Sequence, residues 1–176
     1  MKKIINLFVD MDGTIAKFYY KKNCLEKMYE KGYFENLPEY AMARHINRLA
    51  EEDTCVNVYI LSACIESEYC EQEKIAWLLK HMPNISPNHF IFTKVGEIKV
   101  DIAVDKIKNG CGGMINILLD DYTKNLNEWQ VADNFIGFKF INGINDTTKN
   151  WQGVKIKTYK QLMTHLRDYA VYGITK

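Results

Sequence analysis

No stretch of this chain approaches the roughly 18 apolar residues that suggest a membrane span. The apolar run near the N-terminus meets Asp10 too early for a signal-peptide core, and no A-x-A-like site follows it. Cytoplasm is the resulting expectation. Net charge is nearly absent too, since 23 Lys and Arg against 22 Asp and Glu leave +1 at pH 7. With no global field, neither nucleic acid nor an acidic membrane is an expected partner, and an anionic substrate has to be bound by a local site. The cysteines, Cys24, Cys55, Cys64, Cys70 and Cys111, are odd in number and form no C-x-x-C. That argues against a disulfide framework and against a zinc site, and leaves them as reduced, small apolar fillers. The chain has no internal repeat and no low-complexity tract. Its glycine-rich loop, "KIKNGCGGM" (Lys106 to Met114), lacks the Gly-Lys-Ser/Thr ending of a P-loop and receives no nucleotide role.

What is present reads as one domain. A chain of 176 residues, 47% apolar and 26% charged, can bury a sizeable core. Five apolar, strand-like runs recur: "KIINLFVD", "CVNVYILSA", "NHFIFT", "MINILLDD" and "NFIGFKFIN". Continuous rather than alternating apolarity fits strands covered on both faces, as in a parallel sheet. Helical patterns lie between them. One follows Pro38, with Ala41, Ile46, Leu49 and Ala50 near helical spacing. A second has Ser67 as cap candidate and Ile75, Leu78 and Leu79 as its apolar stripe. A third closes the chain with Leu162, Met163, Leu166 and Tyr169 on one face. Strand alternating with helix predicts an α/β, Rossmann-like sheet flanked by helices. The polar stretch from Asn142 to Gly153 reads as a long loop beyond the fifth strand, placed to rim a site. Residues 19–37, rich in tyrosine and lysine, fit no strand and read as a small helical cap inserted after the first strand.

The chemistry concentrates at strand ends. Asp10 and Asp12 end the first strand run in "DMDGT", and Asp120 and Asp121 end the fourth in "LLDD". An Asp-Gly after a strand is ordinarily just a turn, and acids before "YTKN" would suit a helix N-terminus. If the two strands are neighbours, however, the four carboxylates converge, and they cannot crowd together unless something positive separates them. Mg²⁺, hard and oxygen-seeking, is the natural candidate. Cys64 has no His in a motif context beside it. His45, His81, His89 and His165 are scattered and read as surface or satisfied core residues. Trp77 and Trp129 read as core, while Trp151, in the long loop, is placed to rim the pocket.

"DMDGT" after an apolar strand resembles the first motif of the haloacid dehalogenase-like (HAD) hydrolases, "YILSA" their second and "LLDDYTKN" their fourth, in matching order. Within that superfamily, "FVDMDGTIAKF", "GYFENLP", "CEQEKIAWLLKH", "FIFT" and "LLDD" are similar in order and spacing to the 5'(3')-deoxyribonucleotidases (5'-nucleotidase, deoxy, pyrimidine, cytosolic type C). The resemblance implies Asp10 as the nucleophile that forms an aspartyl-phosphate, and Asp12 as general acid and then base. It implies Mg²⁺ held by the Asp10 carboxylate, the Asp12 backbone carbonyl and Asp121, with Asp120 orienting that shell, the last two being able to exchange roles. Ser62 and the Ala63 amide would bind phosphate oxygens. A lysine would neutralise phosphate and nucleophile, and Lys94, Lys99 and Lys106 are the candidates. Lys99 is preferred because it follows the third strand by a short loop and would open a helix toward the site. Aromatics of the cap region stack on the nucleobase in that family. Here Phe18, Tyr19, Tyr33 and Phe34 stand in that region, Phe18 foremost, and the alternative is that they pack cap against core.

The interval from Asp12 to "YILSA" is shorter than in the mammalian deoxyribonucleotidases, so the cap is a stub. A stub leaves the site open to larger substrates, or to a second subunit that completes the lid as a homo-oligomer. The stretch "DIAVDKIKNGCGGM" lengthens the interval to the fourth motif. The implied activity is a Mg²⁺-dependent phosphomonoesterase acting on (deoxy)nucleoside monophosphates. A HAD phosphatase on another small phosphorylated metabolite, and a nucleotide-binding module without turnover, are the alternatives.

Overall fold

The computed structural model describes residues 4–18, 21–107, 114–145 and 151–173. Tyr19 and Tyr20, Cys111 with most of the glycine-rich loop, and 146–150 of the long polar loop lie outside the described residues.

Six parallel strands form one sheet: β1 (Ile5–Val9), β2 (Val56–Cys64), β3 (Phe90–Lys94), β4 (Ile115–Asp120), β5 (Phe135–Phe140) and β6 (Val154–Ile156). Their order is β3-β2-β1-β4-β5-β6. The helices are α1 (Cys24–Lys27), α2 (Ala41–Glu52), α3 (Cys70–His81), α4 (Lys99–Ile107), α5 (Thr123–Trp129) and α6 (Tyr159–Tyr172). The expected Rossmann-like α/β sheet is therefore what the chain forms. β1 is buried at every position because strands cover both its edges and helices both its faces. Alternate side chains go to opposite faces. Leu7 and Val9 pack with α2, α3 and α6 on one side, and Phe8 with α4, α5 and Trp151 on the other.

The chain winds outward from β1 to β3 and then returns to place β4 on the other side of β1. That reversal opens a crevice beyond the carboxyl ends of β1 and β4, where sheets of this kind bind ligands. Register fixes what faces the crevice. Val9 lies opposite Leu119, and the Asp10 amide donates to the Leu119 carbonyl at 2.9 Å, so the acids after β1 and at the end of β4 arrive side by side. At the other end of the strands, buried Asn6 donates to Asn116 at 3.0 Å and accepts from Asn57 at 3.1 Å. A one-residue slip of β1 against either neighbour would strand these amides in the core.

Several local expectations need correction. α2 begins at Ala41, and Pro38 precedes it, its carbonyl taking the Lys17 amide at 2.8 Å. The face of α2 that is buried is Met42, Ala43, Ile46 and Leu49. Ser67 lies ahead of α3, accepting from the Tyr69 amide, and is not its cap. The buried stripe of α3 is Cys70, Glu73, Lys74, Trp77 and Leu78, while Leu79 is exposed. Two charged residues interrupt the apolar pattern on that face, which is why periodicity selects the wrong one. Trp151 is 3% exposed and packs into the core with Phe8. It is buried against Gly137 of β5, where a Cβ would stand 2.8 Å from the indole. The sixth strand, three residues after a polar stretch, carries no pattern long enough to read. The closing helix is as expected, with Thr158 and Gln161 forming a capping box.

Residues 21–37 hold a single four-residue helix, α1, followed by turns. The excursion leaves and returns at one place, where Ala16 bridges Glu39 and the Tyr40 amide donates to the Ile15 carbonyl. Tyr33, Phe34 and Leu37 are buried in the same apolar cluster as β1. Glu73 of α3 accepts from the Gly32 and Phe34 amides, and the Trp77 indole donates to the Leu37 carbonyl at 2.7 Å. The segment thus shares the core of the sheet.

Candidate active site

After Val9 the chain leaves the sheet and turns sharply. The Thr14, Ile15 and Ala16 amides all point at the Met11 carbonyl, and Gly13 adopts φ +81°, in the left-handed region that favours glycine. Gly13 has a second reason to be glycine. A Cβ there would lie 2.4 Å from Asp121 Oδ2. The absent side chain is the space into which the Asp121 carboxylate fits, so "DMDG" and "LLDD" are complementary in shape.

Asp10, Asp120 and Asp121 offer carboxylate oxygens that all lie within 4.8 Å of one another. Lys99, the first residue of α4, enters this group. Its Nζ donates to Asp10 Oδ1 at 2.6 Å and to Asp120 Oδ2 at 2.7 Å. Lys99 is 4% exposed. Burial alone would depress its ammonium, but Asp10 and Asp120 outweigh that and hold it above its ordinary value. Lys94 and Lys106 are exposed. Of the three candidate lysines, Lys99 is the one that reaches the acids.

The two acids of "LLDD" have different surroundings. Asp120 is fully buried, with Lys99 and Asn125 Nδ2 on Oδ2 and the Tyr122 amide on Oδ1 at 2.7 Å. Asp121 is held from the loop after β5. Asn142 Nδ2 donates to Asp121 Oδ2 at 2.8 Å and to the Gly13 carbonyl at 3.0 Å, and Asn145 Nδ2 donates to the Asp121 carbonyl at 3.0 Å. Burial, then the neighbouring Asp120 and Asp10, push the Asp121 carboxyl well above the usual carboxylate range. Burial likewise pushes Asp10 up to about 7; Lys99 opposes it, and Asp120 and Asp12 add to it. One ammonium does not compensate three carboxylates. The donor set is hard, anionic and short of positive charge, which fits a divalent cation such as Mg²⁺. Asp10 and Asp121 have capacity left to ligate it, while Asp120 is committed to Lys99 and the turn.

Asp12 lies on the other side of the turn, against a second buried lysine. Lys74 Nζ, from the third helix, donates to Asp12 Oδ2 at 2.5 Å, to Ser62 Oγ at 3.0 Å and to the Ala63 carbonyl at 2.6 Å, and lies 4.8 Å from the Phe34 ring centroid. Lys74 is fully buried. Asp12 Oδ1 is buried with no protein partner, so the carboxyl keeps one oxygen unused. Ser62 is fully buried at the end of β2, and Ala63 beside it pairs with Thr93 of β3. Phe18 belongs to the apolar cluster that holds β1. It is 8% exposed, meets Tyr33 edge-on at 6.3 Å between centroids, and accepts the Tyr33 hydroxyl on its carbonyl. With Tyr33 and Phe34 it packs residues 21–37 onto the core.

Sequence reasoning missed Lys74, Asn125, Asn142 and Asn145. Lys74 was findable. It stands four residues after Cys70 and three before Trp77, on the stripe those two bury, and a lysine on a buried stripe needs an acid to meet. The Cys64 thiol is unsuited to be a nucleophile: a hydrogen bond with the Cys70 thiol, then burial, push its ionisation far above the ordinary value.

No protein-family model matches the chain. Two proteins of Staphylococcus aureus, from strains MSSA476 and Mu50 / ATCC 700699, each named "Putative 5'(3')-deoxyribonucleotidase", are 25% identical over 144 residues, covering 76% of this chain and 74% of theirs. Among solved structures, "Structure of DsGPDH of Dunaliella salina" superposes with a TM-score of 0.59 over 91% of this chain at 13% identity. The chain spans 28% of that larger protein, and the likeness is one of fold.

Proposed function

We propose that this chain is a Mg²⁺-dependent phosphomonoesterase acting on (deoxy)nucleoside monophosphates, with Asp10 as nucleophile. The observation that carries the reading is the Lys99 clamp. A buried ammonium joins Asp10 to Asp120 at the switch point of the sheet, with Asp121 close enough to share a cation with Asp10. The similarity to the staphylococcal proteins supports the nucleotide as substrate class.

An anionic carboxylate attacking an anionic phosphoryl group is repelled unless positive charge bridges the two. Lys99 supplies one such charge and fixes Asp10 Oδ1, leaving the other oxygen for attack. The metal, held by Asp10, the Asp12 carbonyl and Asp121, would supply the remaining charge compensation. As the Asp10 oxygen bonds to phosphorus, the ester P–O bond breaks and Asp12 gives its proton to the departing alkoxide. Water then attacks phosphorus, Asp12 takes the water's proton, and the Asp10–phosphorus bond breaks to release phosphate and the free carboxylate. Lys74 holds Asp12 for both transfers. Ser62 Oγ, which Lys74 also holds, and the Ala63 amide would serve as phosphate ligands. Residues 21–37 serve as a short cap, fixed by Glu73 and Trp77.

The test is phosphate release from a panel of (deoxy)nucleoside monophosphates and sugar phosphates, with Mg²⁺ and with EDTA, on wild type and Asp10→Asn. Release from nucleotides that needs Mg²⁺ and disappears in the variant is expected. Release confined to sugar phosphates moves the substrate class to another metabolite. Nucleotide binding with no release from any compound makes the chain a binding module.

A further inference from the structure

The loop after β5 closes on itself through two asparagines. The backbone amide of Asn142 donates to Asn145 Oδ1, and the backbone amide of Asn145 donates back to Asn142 Oδ1, each at 3.2 Å. The Ile144 amide adds a second bond to Asn142 Oδ1 at 3.0 Å. An oxygen that accepts from two backbone amides fixes which way its carboxamide points, so Asn142 Nδ2 has to face away from its own turn. It faces the acids, where it donates to Asp121 Oδ2 and to the Gly13 carbonyl. Asn145 Nδ2 holds the backbone of the same residue, donating to the Asp121 carbonyl and, at 2.9 Å, to the Phe140 carbonyl at the end of β5.

Both groups that Asn142 touches bear on the metal centre proposed above. Asp121 would supply a carboxylate oxygen, and Gly13 directly follows Asp12, whose carbonyl would supply another. One neutral side chain therefore sets the spacing between a ligand at the end of β4 and a ligand in the turn after β1. The contrast with Asp120 is instructive. Asp120 meets the Lys99 ammonium, whereas Asn142 gives Asp121 a neutral N–H, which leaves the carboxylate charge to be balanced by a cation. A carboxylate with one oxygen held by a fixed donor offers the other as a single ligand atom. Mg²⁺ requires closely placed oxygens in near-octahedral geometry, while Ca²⁺ accepts more ligands, bidentate carboxylates included, at looser spacing.

We infer that Asn142, braced by Asn145, is the positioning residue that makes this centre selective for Mg²⁺ over Ca²⁺. It acts through Asp121 and the turn at Gly13. This rests on the metal centre of the phosphomonoesterase reading and deepens it.

The test is calorimetric affinity for Mg²⁺ and for Ca²⁺, on wild type, Asn142→Ala and Asn142→Ser, with urea unfolding of each protein without metal. Serine still accepts from the following backbone amides and so keeps the turn, but it is too short to donate to Asp121. Asn134→Ala, which loses a bond to the Met114 carbonyl at the opposite ends of the strands, controls for a general loss of stability. Both Asn142 variants should bind Mg²⁺ about 10- to 100-fold more weakly. Their Ca²⁺ affinity should fall by no more than about threefold, because a carboxylate free to turn suits the larger ion. Asn134→Ala should leave the ratio of the two affinities unchanged. Equal losses for the two ions, or undiminished Mg²⁺ affinity in Asn142→Ser, overturn the inference. Absence of Mg²⁺ binding by the wild type overturns it together with the metal centre. Mg²⁺ binding without phosphate release from any compound defeats the phosphatase reading alone, and the affinity ratio then decides the inference as before.

Discussion

Lys74 Nζ lies 2.5 Å from Asp12 Oδ2, and the same ammonium holds Ser62 and the Ala63 carbonyl. A lysine on a buried helix face thereby ties the second acid of "DMDG" to the end of β2. Burial would depress this ammonium, and Asp12 foremost among its neighbours outweighs the penalty and raises it above its ordinary value. It therefore stays charged through the physiological range.

Lys74→Met removes that charge and keeps much of the volume. Asp12, Ser62 and the Ala63 carbonyl lose their shared donor, which should cost about 2–4 kcal/mol in urea unfolding. Phosphate release should fall about 100-fold or more, because the acid is no longer positioned. A variant as stable and as active as wild type would show that Lys74 holds nothing of consequence.

Gly13→Ala places a Cβ at φ +81° and 2.4 Å from Asp121 Oδ2. The backbone conformation and the clash together should cost about 1–3 kcal/mol. Mg²⁺ affinity, measured by calorimetry, should fall as well if the displaced carboxylate is the ligand we propose. Loss of stability with unchanged metal affinity would mean that Asp121 does not bind the ion.

Asp120 and Asp121 should respond differently to the same change. Asp120→Asn strips a charge from a fully buried carboxylate whose partner is Lys99, and is expected to destabilise the fold by about 2–3 kcal/mol. Asp121→Asn removes a carboxylate already under repulsion, so unfolding should be little changed while Mg²⁺ affinity drops about tenfold or more. Urea titration and calorimetry on the pair would separate the orienting acid from the ligand. The reverse pattern would exchange their roles.

The pH dependence follows from Asp10, whose carboxyl is raised to about 7 without metal. Between the ordinary carboxylate value of about 4 and that point, the folded state carries a proton that the unfolded chain has lost. Stability from this source is complete at low pH and is lost as pH rises through about 7. Mg²⁺ competes with the proton, so its stabilising effect should be larger at pH 8 than at pH 6. Thermal unfolding with and without Mg²⁺ at the two values checks this, and equal shifts would contradict it.

The sheet was legible because five of its strands lie in mostly apolar runs bounded by polar or small residues, and the acids at the ends of β1 and β4 could be matched once the two were neighbours. Lys99 was reachable by position alone, at the start of a helix after a short loop. Lys74 was reachable too, from its place on the stripe that Cys70 and Trp77 bury, but a charge there reads as a break in the apolar pattern unless an acid is sought to meet it. Asn142 and Asn145 were hidden for another reason. Short-range pattern says only that a polar loop follows β5, and their contacts with Asp121 span 21 and 24 residues. Trp151 was misplaced since nothing local shows that Gly137, a strand away, leaves a hole of its size.

The central claim is that Asp10 carries the phosphoryl group. The direct measurement is an acid quench of the enzyme turning over radiolabelled 4-nitrophenyl phosphate with Mg²⁺, followed by peptide mapping, on wild type, Asp10→Asn and Asp12→Asn. Label should be found on the peptide containing Asp10, accumulate in Asp12→Asn because the base for hydrolysis is gone, and be absent from Asp10→Asn. Turnover with no label on the protein, or label that survives in Asp10→Asn, would contradict the account.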